Sequence, residues 1–369
     1  MNITFLIGNG FDLNLGLNTR YSDFLAVYKT IREEDSNFIQ FMKKRINEDS
    51  ILWSDAELAL GDSTKYLIGD DEKTRFDAVE AFSNFHIDIC MRLASYLEEQ
   101  QSRLPSFDNP EEIAKKMAIC LNGFANGFRE ESRNMIQNSY ITAKGGINFN
   151  FIVFNYTQIL DDLLNITRSN QKHLGTRNHS GTLYQNTIGE IIHVHGTTKR
   201  DMVFAVNDIS QITNKGLYTN VPDVYLQQLI KIETNRINEQ RTDEKTTAIL
   251  NASDLIYIYG MSLGETDRMW WQRIVELMKA NTRLCVIIQQ VDADDEALIR
   301  KNFLIKRNSF RERFVGFLPD DVDNKEQIKE RIFLTSYNIF NEFKDIVHKE
   351  TIFDFAKKKL EEELNTETV

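Results

Sequence analysis

The chain has 369 residues, a formal net charge of −11 and 41% hydrophobic residues. That length predicts one large or two modest domains with a sizeable core. The acidic balance argues against nucleic-acid binding driven by phosphate neutralisation. No apolar run is long enough to span a membrane, and the opening MNITFLIG lacks the basic segment of a signal peptide, so a cytoplasmic protein is expected. Cys90, Cys120 and Cys285 stand far apart without a CxxC, which predicts buried reduced thiols rather than a zinc ribbon or a disulfide framework.

Strand-like runs are predicted at 3–7, 149–154, 190–194, 202–206, 254–259, 283–289 and 331–335. Most are followed by polar loops or helical patterns. This alternation predicts an α/β protein with a doubly wound, mainly parallel sheet of Rossmann-like type. Residues 1–20 plus 148–340 would form the nucleotide-binding domain. Between 21 and 147 the signal is helical and reads as an insertion. Phe82, Phe85, Ile89, Leu93 and Tyr96 mark one helix face, and Asp108-Asn109-Pro110-Glu111-Glu112 is a helix start. Residues 168–189 read as a loop, 207–250 as a further helical segment, and 341–369 as a C-terminal helix and tail.

Four polar clusters follow apolar strands. The first is Gly8-Asn9-Gly10-Phe11-Asp12. Its glycines permit a tight turn, and the next helix would aim free N–H groups at an anion. Leu13 replaces the last glycine of GxGxxG, so the hydride-transfer fingerprint is absent. Asp12 would cap the helix, bond a ribose hydroxyl or hold a cation. The second cluster is Phe154-Asn155-Tyr156-Thr157. The Asn155 amide suits orienting a water or a sugar hydroxyl, while capping by Asn155 or Thr157 is the plainer role. The third is His193-Val194-His195-Gly196. Alternation puts both histidines on one strand face, with His195 at the strand end as a general base; a metal pair and structural hydrogen bonding are the rivals. The fourth is Tyr257 to Asp267, where Gly260 and Ser262 would hold a phosphate or ribose and Asp267 a hydroxyl or a helix cap. Trp270 and Trp271 are expected in the core.

Together IGNGFDLNLGLNTRYSDF, WSDAELALGD, FNYT, HVHG and YGMSLGETD resemble the AbiH family of phage abortive-infection proteins. That family is more distantly similar to sirtuin-like NAD-cleaving defence domains. The resemblance matches Gly8 and Gly10 to a glycine turn, Asn155 to an asparagine after a strand, and His195 to the histidine of a His-Gly pair. Asn9, Asp12 and Thr157 depart from that pattern, and the deacetylase zinc module is missing. The implied function is an antiphage effector that binds NAD or a related nucleotide and hydrolyses its N-glycosidic bond. His195 and Asn155 would be catalytic. Gly8, Asn9, Gly10, Asp12, Thr157, Gly260, Ser262 and Asp267 would bind the nucleotide, with no metal and with NAD as substrate. Glu57 would look into the cleft from the insertion. A homo-oligomer or a second defence protein are the protein partners implied. Three alternatives stand beside this. A nuclease or phosphohydrolase would hold Mg²⁺ with Asp12, Glu57, Asp208 and Asp267. A nucleotide-sensing module would bind without turnover, and a structural interaction protein would bind no small molecule.

Overall fold

A computed structural model describes residues 1–289, 300–318 and 325–347, with side chains at 300–307 excepted. Most of the expected C-terminal helix and tail, from 348 on, lies outside the described residues. The strands are β1 (Asn2–Ile7), β2 (Asn148–Val153), β3 (Thr176–His179), β4 (Thr182–Gln185), β5 (Thr187–His193), β6 (Leu255–Tyr259), β7 (Cys285–Gln289) and β8 (Ile332–Thr335). Six of them form one sheet in the order β5-β2-β1-β6-β7-β8, and every pairing in it is parallel. The order reverses between β1 and β6. That is the switch point of a doubly wound fold, where a crevice opens at the carboxyl ends of the strands.

Alternation along the strands sends side chains to two cores. Ile3, Phe5 and Ile7 of β1 join Phe149, Phe151, Tyr257 and Ile287 on one face, covered by helices Pro110–Asn122 and Ile159–Ser169. Leu6, Ile152, Ile256, Ile258 and Val286 face the other way, against Trp270, Trp271 and Ile274 of helix Arg268–Ala280. Runs such as Leu255–Tyr259 are apolar throughout because both of their faces are covered. The expected helix start is present: Asn109 accepts a hydrogen bond from the Glu112 N–H at 3.1 Å, with Pro110 in the first turn.

A third core stands apart from the sheet. Phe24, Tyr28, Met42, Trp53, Leu60, Phe82, Phe85 and Leu93 pack there with Tyr156, Phe204, Val206, Ile212 and Leu229. Its longest element is the 30-residue helix Glu72–Gln101. The helical stretch 21–147 is thus divided, since Ile113, Met117, Leu121 and Ile136 belong to the sheet's core.

Two expected elements differ. Residues 202–206 form no strand; the backbone is irregular, Val203 to Val206 are buried, and the stretch is tied by Val203 N–H to the His195 carbonyl and by Val206 N–H to the Leu229 carbonyl. Their apolar run reflects burial rather than sheet pairing. The presumed loop 168–189 contains the antiparallel hairpin of β3 and β4, and β5 starts within it. The hairpin turns at Ser180 and Gly181, with φ of 51° and 82°, as a tight two-residue turn requires. Among the described residues no helix is long and apolar enough to cross a membrane.

Candidate functional site

The β1 and β6 loops meet at backbone contact. The Gly8 N–H donates to the Tyr259 carbonyl and the Gly10 N–H to the Gly260 carbonyl, both at 2.9 Å. A β-carbon on Gly10 would lie 2.4 Å from the Gly260 Cα, and Gly260 itself has φ +65°. These glycines therefore let two loops cross. Their N–H groups, expected to cradle a phosphate, are spent on the neighbouring loop, and the helix that follows is only Gly10–Asn14. The Asn9 amide is engaged too, donating to the Thr19 carbonyl and accepting from the Thr19 hydroxyl at 2.6 Å.

Beside this crossing lies a cleft of about 1290 Å³, larger than most small-molecule pockets. Asn9, Gly10, Asp12, Asn155, Thr157, Gly260 and Ser262 line it, and Tyr21, Leu93 and Leu97 wall it from the helical side. At its floor Asp12, 1% exposed, accepts from Asn155 Nδ2 at 2.9 Å and from Thr157 Oγ1 at 2.8 Å. Burial raises the Asp12 carboxyl to about 6, with the bonds from Thr157 and Asn155 holding it from going higher. Asn155 and Thr157 thus serve the carboxylate of helix Gly10–Asn14, and neither caps the helix Ile159–Ser169 that follows them, whose N-cap position is Gln158. The Asn155 Oδ1 is buried and has no hydrogen-bond partner among the described residues.

The two histidines separate. β5 stops at His193, whose ring bonds the Asn155 carbonyl at 2.9 Å through Nδ1 and Asp161 at 2.7 Å through Nε2. It steadies the backbone of Asn155 from behind. His195 lies past the strand end, 5% exposed, with Nε2 at 3.2 Å from Asp267 and 3.3 Å from Lys231 Nζ. Neither His195 nor Asp267 lines the cleft; Phe154, set edge-on to the His195 ring, stands at its wall. Expecting both histidines on one face assumed a strand running on through His195.

A buried polar network continues from there. Lys231 pairs with Glu57 at 2.7 Å, and Glu57 Oε1 accepts from the hydroxyls of Tyr21 at 3.0 Å and Tyr156 at 2.8 Å. Burial works against the Lys231 ammonium, yet Glu57 and Asp267 hold its pKa above the ordinary lysine value. Burial likewise opposes the Asp267 charge, and Lys231 with His195 outweighs it, so that carboxyl is lowered. Glu57 is buried in this network and does not line the cleft. Sequence reasoning passed over Lys231; its signal was a lysine inside the apolar run Leu229-Ile230-Lys231-Ile232.

The four carboxylates of the metal alternative do different work. Asp12 binds an amide and a hydroxyl, Glu57 and Asp267 flank an ammonium, and Asp208 caps a short turn through the Ser210 N–H. Among the described residues no three His, Cys, Asp or Glu side chains converge as a metal site. The cysteines are free, Cys120 and Cys285 buried, and burial raises the Cys90 and Cys120 thiols to about 12.

The polar floor of the cleft, Asp12, Asn155 and Thr157, comes from two of the segments that suggested a family. A model of the family described as bacteriophage abortive infection AbiH matches residues 4–288. The chain belongs to the AbiH family. This AbiH protein is therefore a phage abortive-infection defence protein, and the match takes in all the cleft's floor residues. No curated protein matches the chain.

Proposed function

We propose that this AbiH protein binds NAD or a related nucleotide in the switch-point cleft and hydrolyses its N-glycosidic bond. The observation that carries the reading is the Asp12–Asn155–Thr157 cluster: a carboxylate with a near-neutral pKa, held by two donors on the floor of a cleft large enough for a dinucleotide. In the reaction a water oxygen attacks the ribose C1′ and its proton passes to Asp12. The C1′–N bond breaks with its electron pair leaving on nicotinamide, and Asn155 orients the water or the sugar. We give the base role to Asp12 because it lines the cleft, and His195 the role of a positioning residue behind Phe154. With the Gly8 and Gly10 N–H groups spent, the diphosphate takes its countercharge from Arg20 and Lys344, the basic side chains along the cleft among the described residues.

Purified protein incubated with NAD, and with a panel of nucleotides, tests this with and without Mg²⁺ or chelator. The expected result is nicotinamide release that chelator leaves unchanged and that Asp12→Asn and Asn155→Ala abolish. NAD left intact, or turnover that Asp12→Asn leaves at the wild-type rate, would overturn it.

A further inference from the structure

The residue that stands out in the rest of the cleft is Gln289, the last residue of β7. Val286, Ile287 and Ile288 before it are fully buried apolar side chains. Gln289 is buried with them at 5% exposure, lines the cleft, and leaves its Oε1 without a hydrogen-bond partner among the described residues. Burying an amide oxygen unpaired is unfavourable, and an apolar residue would end this strand better. The Asn155 Oδ1 is in the same condition at the end of β2. β2 and β7 are separated by β1 and β6, so the two amides stand three strand spacings apart, roughly 14 Å. Both lie along one cleft, on opposite sides of the switch point, where a dinucleotide spans the crevice in folds of this order. Met261 and Phe310, which also line the cleft, pack on the core that holds Val286 and Ile288, the strand residues before Gln289.

We propose that Gln289 reads the nucleobase of the bound nucleotide and that the base is adenine. A glutamine amide pairs with the amino group and adjacent ring nitrogen of adenine through two hydrogen bonds, its oxygen accepting and its nitrogen donating. On the N6/N7 edge of the purine, hypoxanthine offers the amide two acceptors, O6 and N7, and leaves Oε1 unpaired. Met261 and Phe310 enclose the faces of the ring, and Asn155 meets the reacting ribose at the other end. This rests on the nucleotide reading above and adds the identity of the distal base.

Affinities measured by calorimetry for NAD and for its hypoxanthine counterpart, on wild-type and Gln289→Leu protein, test the proposal. Wild type is expected to bind NAD ~10-fold or more tightly than the hypoxanthine dinucleotide. Gln289→Leu is expected to bind the two within about twofold, with an unliganded melting temperature at or above that of wild type. Equal affinities in wild type, or a preference that survives in Gln289→Leu, would overturn the base-reading role while leaving nucleotide binding intact. Absence of binding by either dinucleotide would overturn the nucleotide reading and this inference with it.

Discussion

Asp12 carries a conflict between folding and chemistry. Its carboxyl is raised to about 6 in the folded protein, first by burial, against an ordinary value near 4. Between those values the folded state holds a proton that the unfolded state has released. Stability therefore falls as pH rises from about 4 to about 6 and is level above that. The cost at neutral pH is at most on the order of 3 kcal/mol. Asp12→Asn removes the charge and keeps an acceptor for Asn155. It should melt higher than wild type at pH 7.5, converge with wild type below pH 4, and lose hydrolytic activity and cellular toxicity. Activity of the wild type should climb with pH through about 6, since a base must be ionised to act. A variant that melts lower at every pH would show that Asp12 is structural. Gly10 behaves differently: with a β-carbon 2.4 Å from the Gly260 Cα, Gly10→Ala should cost about 1–3 kcal/mol in a denaturant titration. A sequence-level reading of Gly10 as phosphate cradle would instead have the fold untouched and only affinity lost.

At the scale of elements, sequence showed most where a side chain's burial follows a period. The sheet strands β1, β2, β6, β7 and β8 are buried on both faces and mostly apolar, and stand within about two residues of their expected positions. The exposed hairpin, Thr-Arg-Asn-His against Thr-Leu-Tyr-Gln, has no such pattern; its signal was the Ser180-Gly181 turn alone. The site was legible in part. Asn155 and Asp12 could be placed at strand ends, but their hydrogen bond joins residues 143 apart and no periodicity encodes it. The Glu57–Lys231 pair, 174 residues apart, is the same kind of fact. It connects helix Ala56–Ser63 to helix Lys231–Ile237, and both side chains are less than a tenth exposed. Lys231→Met should destabilise by about 3–5 kcal/mol, because Glu57 is left buried without its cation and half-buried Asp267 loses one of its two partners. Adding Glu57→Gln should return part of that loss, since the amide oxygen still accepts from Tyr21 and Tyr156. A double-mutant cycle in which the two changes simply add would remove the coupling.

On the scale of the whole molecule, the helical layer and the sheet domain share too much to come apart. The third core takes Phe24, Phe82, Phe85 and Leu93 from the first hundred residues, and Phe204, Val206, Ile212 and Leu229 from beyond β5. Neither set makes a closed core alone. Two buried polar links reinforce the apolar contact: His86 Nε2 meets the Phe204 carbonyl at 2.6 Å, and Glu57 meets Lys231 at 2.7 Å. The cleft has walls from both parts, with Tyr21, Leu93 and Leu97 facing Asp12, Asn155 and Gly260. An insertion held only by its two chain connections would unfold on its own and leave the sheet domain standing. A segment whose core is completed by residues 204–229 cannot do so without exposing them. Scanning calorimetry of the full chain should therefore give one cooperative transition. Helix Glu72–Gln101 and strand β1 should lose their amide protection together in hydrogen exchange. Two separated calorimetric transitions, with helix amides exchanging first, would mean that the roof of the cleft opens independently. Lys231→Met is the variant most apt to split the transition, because it cuts the ion pair between the two parts and leaves the sheet core untouched.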